Sequence, residues 1–221
     1  MNNEIMDKVQ HRFDNLIKPV GSLAKLEKIV CRYAALKNNT VLDYPTKALV
    51  LFDFISEDLE WNLQCLRSAD VSNTMFSVAQ GDLLTLPAVD LIAFGHTLTK
   101  DAPRDLFEKT VEAMTQAMLL AMENKMLIVL DGADSVRAAE LAYQTNKDIY
   151  KHLITSYQPI SLDVDTQGYF DLSPLLKLQL NSENGLGALM AFNIIDAGVR
   201  AYKDMRTFDE AKVEYAVEDL K

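Results

Sequence analysis

Asp53, Gly95-His96 and Asp131-Gly132 each close a short apolar run, and Asn181-Ser-Glu183-Asn184-Gly185-Leu-Gly187 leads into an amphipathic stretch. In an open parallel sheet the ligand crevice lies beyond the carboxyl ends of the strands, so polar residues after apolar runs are where chemistry is sought first. A carboxylate there can act as a general base once burial raises its proton affinity. Free backbone N–H groups where the Gly185–Gly187 loop enters its helix can hold a phosphate or a carboxylate. Each feature also has a plainer reading. Asp53 and Asp131 suit the cap of a following helix; at Asp53 the cap is the better reading, and at Asp131 the two are balanced. The glycine loop matches neither a P-loop nor a full dinucleotide fingerprint, so by itself it reads as a loop-to-helix junction.

Other reactive side chains offer less. His11, His96 and His152 lie far apart without ligand-like spacing, so no metal and no cofactor is expected. No Ser-His-Asp or Cys-His arrangement can be drawn. Cys31 and Cys65 fall in helix-like apolar patterns and read as buried free thiols of a reducing compartment. Met114, Met118 and Met122 share one helical stripe, which reads as core or helix–helix interface.

These residues need elements to position them. Residues 47–54, 89–95 and 126–132 carry apolar runs that read as buried parallel strands, with a weaker strand near 153–156. Helical patterns lie between them: the Leu59, Leu63 and Leu66 stripe, continued over 70–80 to Gly81, then Pro103 to about Asn124, then 134–145. Strand and helix alternating at these lengths predict an α/β fold, a parallel Rossmann-like sheet with helices on both faces. Helices bracket it. One is expected at about 3–16 and one at 22–36, with Ser22 as its cap. Ser173-Pro174 reads as the start of a helical C-terminal part, with a Leu189 to Tyr202 stripe. A Thr207-x-x-Glu210 capping box opens a last helix with Val213, Val217 and Leu220 inward. The expected organisation is an α/β core domain over 40–170, with 1–39 and 171–221 as a helical layer packing on it.

Length and charge narrow the function. The 221 residues suit one α/β domain with an appended helical layer. A net charge of −10 argues against nucleic-acid partners or an anionic membrane. No apolar stretch approaches the ~20 residues of a membrane helix, and the Met1-Asn2-Asn3-Glu4 start lacks a signal-peptide pattern. A cytoplasmic location is expected.

Three blocks carry a resemblance. Arg12-Phe-Asp-Asn-Leu-Ile-Lys18-Pro19-Val-Gly21-Ser22-Leu23, followed by Leu26-Glu27, resembles the N-terminal signature of nicotinate-nucleotide:dimethylbenzimidazole phosphoribosyltransferases. Val129-Leu-Asp131-Gly132 through Ala138-Ala139 and on to Ser156 is similar to that family's strand with an Asp-Gly tip and its helix. Pro174 to Leu180, through Ala188 to Met205-Arg-Thr-Phe208-Asp-Glu-Ala211, resembles its C-terminal stretch. The resemblance implies transfer of phosphoribose from nicotinate mononucleotide to a benzimidazole-type base, with a glutamate as general base. It also implies a homodimer. The glutamate loop reads Leu180-Asn-Ser-Glu183-Asn184-Gly185, so Glu183 holds the catalytic position with a one-residue insertion and Asn184 without it. Asp131, Gly132, Gly185, Gly187, Asp53 and Ser156 would contact base and nucleotide.

The departures are specific. The family's glycine-rich Gly-Glu-Met-Gly-Ile-Gly-Asn-Thr-Thr phosphate segment has no counterpart, its Ala-Asp-His-Gly motif becomes Phe52-Asp53-Phe54-Ile55, and its Ser-His-x-Ser-Ala-Glu segment becomes Ser156-Tyr157-Gln158-Pro159-Ile160-Ser161. Phosphoryl recognition needs several converging donors. Two readings follow: a divergent phosphoribosyltransferase, or a non-catalytic homologue that binds a small aromatic base or nucleotide, or pairs with an intact paralogue.

Overall fold

The computed structural model describes residues 1–53, 59–80, 85–99, 101–157, 173–178, 180 and 182–213. The chain divides into two units, one of residues 1–44 with 194–221 and one of residues 45–193.

The larger unit holds a five-stranded, wholly parallel sheet. Its strands are β1 (Lys47–Phe52), β2 (Met75–Ala79), β3 (Leu91–His96), β4 (Leu127–Leu130) and β5 (Leu153–Thr155), in the order β2-β1-β3-β4-β5. Every residue of β1, β3 and β4 is buried, which is why these segments read as continuous apolar runs rather than alternating ones. Leu49 and Leu51 of β1 stand on one face, Val50 and Phe52 on the other. The second set packs into a core with Ile92, Phe94, Ile128 and Leu130. That core is shared with Met114 and Met118 of the helix Arg104–Glu123, and with Ala138 and Ala139 of the helix Gly132–Thr145. The methionine stripe is therefore core. Burial of each such side chain contributes about 1.5–3 kcal/mol before chain entropy is counted.

In chain order the helices are α1 (Asn3–Asp14), α2 (Lys25–Lys37), α3 (Leu59–Ala69), α4 (Arg104–Glu123), α5 (Gly132–Thr145), α6 (Leu186–Asp204) and α7 (Phe208–Ala211). Several expectations are corrected. Residues 75–79 form edge strand β2, not a continuation of α3, and the strand is only partly buried. A helix at 70–80 is blocked at its start, because the Asp70 carboxylate accepts from the backbone of Ser72 and Thr74 and turns the chain. Ser22 does not cap α2, whose N-cap is Ala24 without a side-chain bond. Residues 173–178 are not helical; Leu176 instead makes a parallel bridge with Tyr157. Cys31 is buried as expected, but Cys65 is exposed. The Thr207–Glu210 capping box is present, yet α7 ends at Ala211 and Val213 is exposed. Val217 and Leu220 lie outside the described residues.

The smaller unit accounts for the N-terminal signature. Arg12 of α1 reaches Glu210 (Nη1 to Oε1, 2.8 Å), the Tyr202 carbonyl (3.1 Å) and the Met205 carbonyl (3.3 Å). Leu16 bridges Thr207, and the Ile17 amide donates to the Arg206 carbonyl. Lys18 and Glu27 form a buried ion pair at 2.8 Å, and Glu27 also accepts from Gln10 and the Leu23 amide. The Arg-x-Asp-x-Leu-x-Lys-Pro block and the Met205-Arg-Thr-Phe block are thus two halves of one structural joint.

Candidate functional site

The carboxyl ends of β1, β3, β4 and β5 lead into Asp53, His96-Thr97, Asp131-Gly132 and Ser156, as the apolar runs predict. The structure does not give these residues equal roles. Asp53 accepts from Thr97 Oγ1 at 2.7 Å and ties the end of β1 to the segment after β3; residues 54–58, where a helix for it to cap would start, lie outside the described residues. Ser156 donates from its hydroxyl to the Leu130 carbonyl at 2.6 Å and is fully buried, so it finishes strand pairing. Neither reaches the glutamate loop by any hydrogen bond described.

Asp131 and Glu183 do meet that loop, through a crossed pair of caps. Asp131 sits at the N-cap of α5 but makes no side-chain bond to it. Its carboxylate accepts instead from the Gly185 amide (2.7 Å) and the Ala188 amide (2.8 Å), at the start of α6. Glu183, which precedes α6, accepts from the Ala133 and Asp134 amides, both at 2.9 Å, in the first turn of α5. Each acid satisfies orphan donors of the other helix. The Gly185 and Gly187 amides that could hold a phosphate are therefore taken by Asp131 and the Leu186 amide by Asn184, and Gly187 is pressed against the Tyr157 ring.

Gly132 is required where it stands. It has φ +81°, and a Cβ there would run into the Glu183 carboxylate. Asn184 turns away from the acid cluster: its Oδ1 accepts from Ser182 Oγ at 2.6 Å and from the Leu186 amide at 3.3 Å, and its amide donates to Asn62 at 3.0 Å. Of the two residues the sequence left open for the catalytic position, only Glu183 joins the strand-end acids.

Burial is the main influence on both acids. It pushes Asp131 up to about 7, against the Gly185, Ala188 and Gly187 amides that favour the anion, and the Glu183 charge pushes the same way. Burial likewise raises Glu183; the Asp134 and Ala133 amides oppose it, and the Asp134 charge adds to the rise. Burial raises the Tyr157 phenol as well, and its hydroxyl donates to the Ser182 carbonyl at 2.7 Å.

His96 belongs to this cluster, which sequence spacing did not reveal. Its Nε2 lies 3.1 Å from Asp134 Oδ2, and its Nδ1 accepts from the Leu98 amide at 3.1 Å. His96, Asp134 and Glu183 each present a ligand-capable atom within 4.8 Å of the others. The donor set nevertheless fits a proton network better than a cation. An amide pointing at Nδ1 requires its lone pair, so the ring proton sits on Nε2, where a metal would have to bind.

With this geometry in hand, comparison with known proteins becomes informative. A phosphoribosyltransferase family model, DBI_PRT, matches residues 1–53 and 108–213, well over half of the chain. The chain belongs to this family. A nicotinate-nucleotide–dimethylbenzimidazole phosphoribosyltransferase of Shewanella baltica is 37% identical over 110 residues, covering 47% of this chain and 29% of that protein. A protein of the same name from Clostridium acetobutylicum is 29% identical over 177 residues, 65% of this chain and 49% of its own length. The chain thus spans between about a third and a half of these curated relatives. Crystal structures of CobT from Thermus thermophilus share the fold, one with TM-score 0.76 at 17% identity over 96% of this chain and 99% of that one. Among the described residues, no helix is long and apolar enough to cross a membrane.

Proposed function

We propose that this family member is a divergent phosphoribosyltransferase in which Glu183 is the general base. Nicotinate mononucleotide and a benzimidazole-type base are its substrates, and it acts as a cytoplasmic homodimer. In the reaction a ring nitrogen of the incoming base attacks the ribose anomeric carbon. The bond from that carbon to the nicotinate nitrogen breaks, and nicotinate leaves with the electron pair. The proton on the base's other ring nitrogen passes to a Glu183 oxygen, which leaves the new nucleoside base neutral. The observation that carries this reading is the position of Glu183, at the carboxyl ends of β3 and β4 with its proton affinity raised by burial.

Two observations favour a second reading, a non-catalytic homologue that binds a base or nucleotide or pairs with an intact paralogue. Both Glu183 oxygens already accept backbone amides, and the family's phosphate segment has no counterpart in this sequence. Calorimetric titration of nicotinate mononucleotide and of 5,6-dimethylbenzimidazole, with a nicotinate-release assay on the same sample, separates the two. The first reading expects both ligands to bind and nicotinate to be released, with release lost in Glu183→Gln. Binding without release would leave the second.

A further inference from the structure

We propose that His96 and Asp134 are positioning residues for Glu183, forming a fixed line of hydrogen bonds that sets the Asp134 carboxylate beside the glutamate and holds the glutamate in place. This rests on the reading of Glu183 as the base. The line starts at the Leu98 amide, which donates to His96 Nδ1. Holding that lone pair forces the ring proton onto Nε2, and Nε2 then donates to Asp134 Oδ2 at 3.1 Å. Phe107 of α4 fixes the ring plane edge-on at 5.9 Å between centroids.

Asp134 receives the line and passes it on. Its own backbone amide donates to Glu183 Oε2 at 2.9 Å. The loop is docked at the other end by the same histidine: the His96 amide donates to the Glu183 carbonyl at 2.8 Å. Gly95 permits this approach, because a Cβ there would stand 2.6 Å from the Asn184 carbonyl carbon. Residue 96 therefore holds the glutamate from both sides, through its backbone and through its ring by way of Asp134.

The groups facing Glu183 are His96 from β3, Asp134 from α5, and Asp131 and Tyr157 beyond β4 and β5. Among the described residues, none of these is a lysine or arginine. The Asp134 charge adds to the raised proton affinity of Glu183, which is what a base needs. His96 lies outside the two segments that match the family model.

The test uses carboxyl-carbon NMR titration of the full chain, with the Glu183 signal identified by its loss in Glu183→Gln. Asp134→Asn should lower the Glu183 midpoint by about one pH unit, as removal of a neighbouring like charge does. His96→Phe should displace the Glu183 carboxyl signal from its parent position, and His96→Gln, which can still donate to Asp134, should restore it. In turnover, Asp134→Asn and His96→Phe should lower kcat roughly tenfold with KM little changed, and move the acid limb of the pH profile of Asp134→Asn downward. An unmoved Glu183 midpoint in Asp134→Asn, or an unmoved Glu183 signal in His96→Phe, overturns the proposal. Should the wild type prove inactive, the transferase reading fails while the titrations still decide this one. Should His96→Phe not fold, Asp134→Asn and His96→Gln decide it.

Discussion

Glu27 and Glu183 are two glutamates withdrawn from water by the same fold, with opposite outcomes. Burial raises the proton affinity of Glu27, but the hydrogen bonds from Lys18, Gln10 and the Leu23 amide outweigh it, and its carboxyl ends below the usual range. Glu183 has two amides and, among the described residues, no lysine or arginine; burial wins and its proton affinity rises. A buried acid matched by a cation is fixed as an anion and can only hold structure. One left with dipoles alone stays close to its neutral form and can exchange a proton. The difference separates the two family blocks, one a joint and the other a site.

Four measurements sharpen or break this contrast. The largest effect is expected from Glu183→Gln, which should cut nicotinate release by roughly 10²–10⁴-fold while the chain still folds; retained turnover would place the base elsewhere. Lys18→Met leaves Glu27 as an uncompensated buried charge and should cost about 3–5 kcal/mol in denaturant unfolding, most of which the Lys18→Met/Glu27→Leu pair should restore. Gly132→Ala combines a left-handed backbone with a Cβ against the Glu183 carboxylate, and should cost about 1–3 kcal/mol.

The smallest effect is a slope with pH. Asp131 is lifted to about 7 in the folded chain, above its unfolded value of about 4. The folded state therefore keeps the proton longer, and the stability Asp131 contributes is complete below about pH 4 and is lost as pH rises towards 7. Glu27, shifted the other way, loses its contribution as pH falls. Thermal midpoints of Asp131→Asn between those limits should fall less steeply with rising pH than those of the parent chain; equal slopes would show Asp131 ionised throughout.

Much of this was legible in the residues. β1, β3 and β4 announce themselves because both their faces are buried, so each run is apolar throughout. β2 stayed hidden because an edge strand with Met75 and Val78 exposed carries no such run. Cys65 misled because an apolar-looking pattern on α3 does not say which stripe faces inward. At the site, the sequence brought Asp131, Gly132 and Glu183 forward but left Asp131 evenly between a cap of the following helix and a site residue, and did not offer the cap of α6 that it makes. An acid before a helix normally caps that helix, and nothing local reveals that a loop some fifty residues on lies closer. His96 stood out as a strand-end residue but without partners, since these come from 38 residues away in Asp134 and from a backbone amide.

The crossed caps bind two stretches of chain into one event during folding. The four bonds join residues 49, 50, 54 and 57 positions apart. A loop of that length must close before either helix start is satisfied, and the entropy of closure is spent once for both. The first turns of α5 and α6 should therefore set late, together, and open together in the native state. In hydrogen exchange, the Ala133, Asp134, Gly185 and Ala188 amides should share one protection factor. Disturbing either acid should loosen both helix starts, so the chain's most reactive corner is also a single cooperative hinge of its stability.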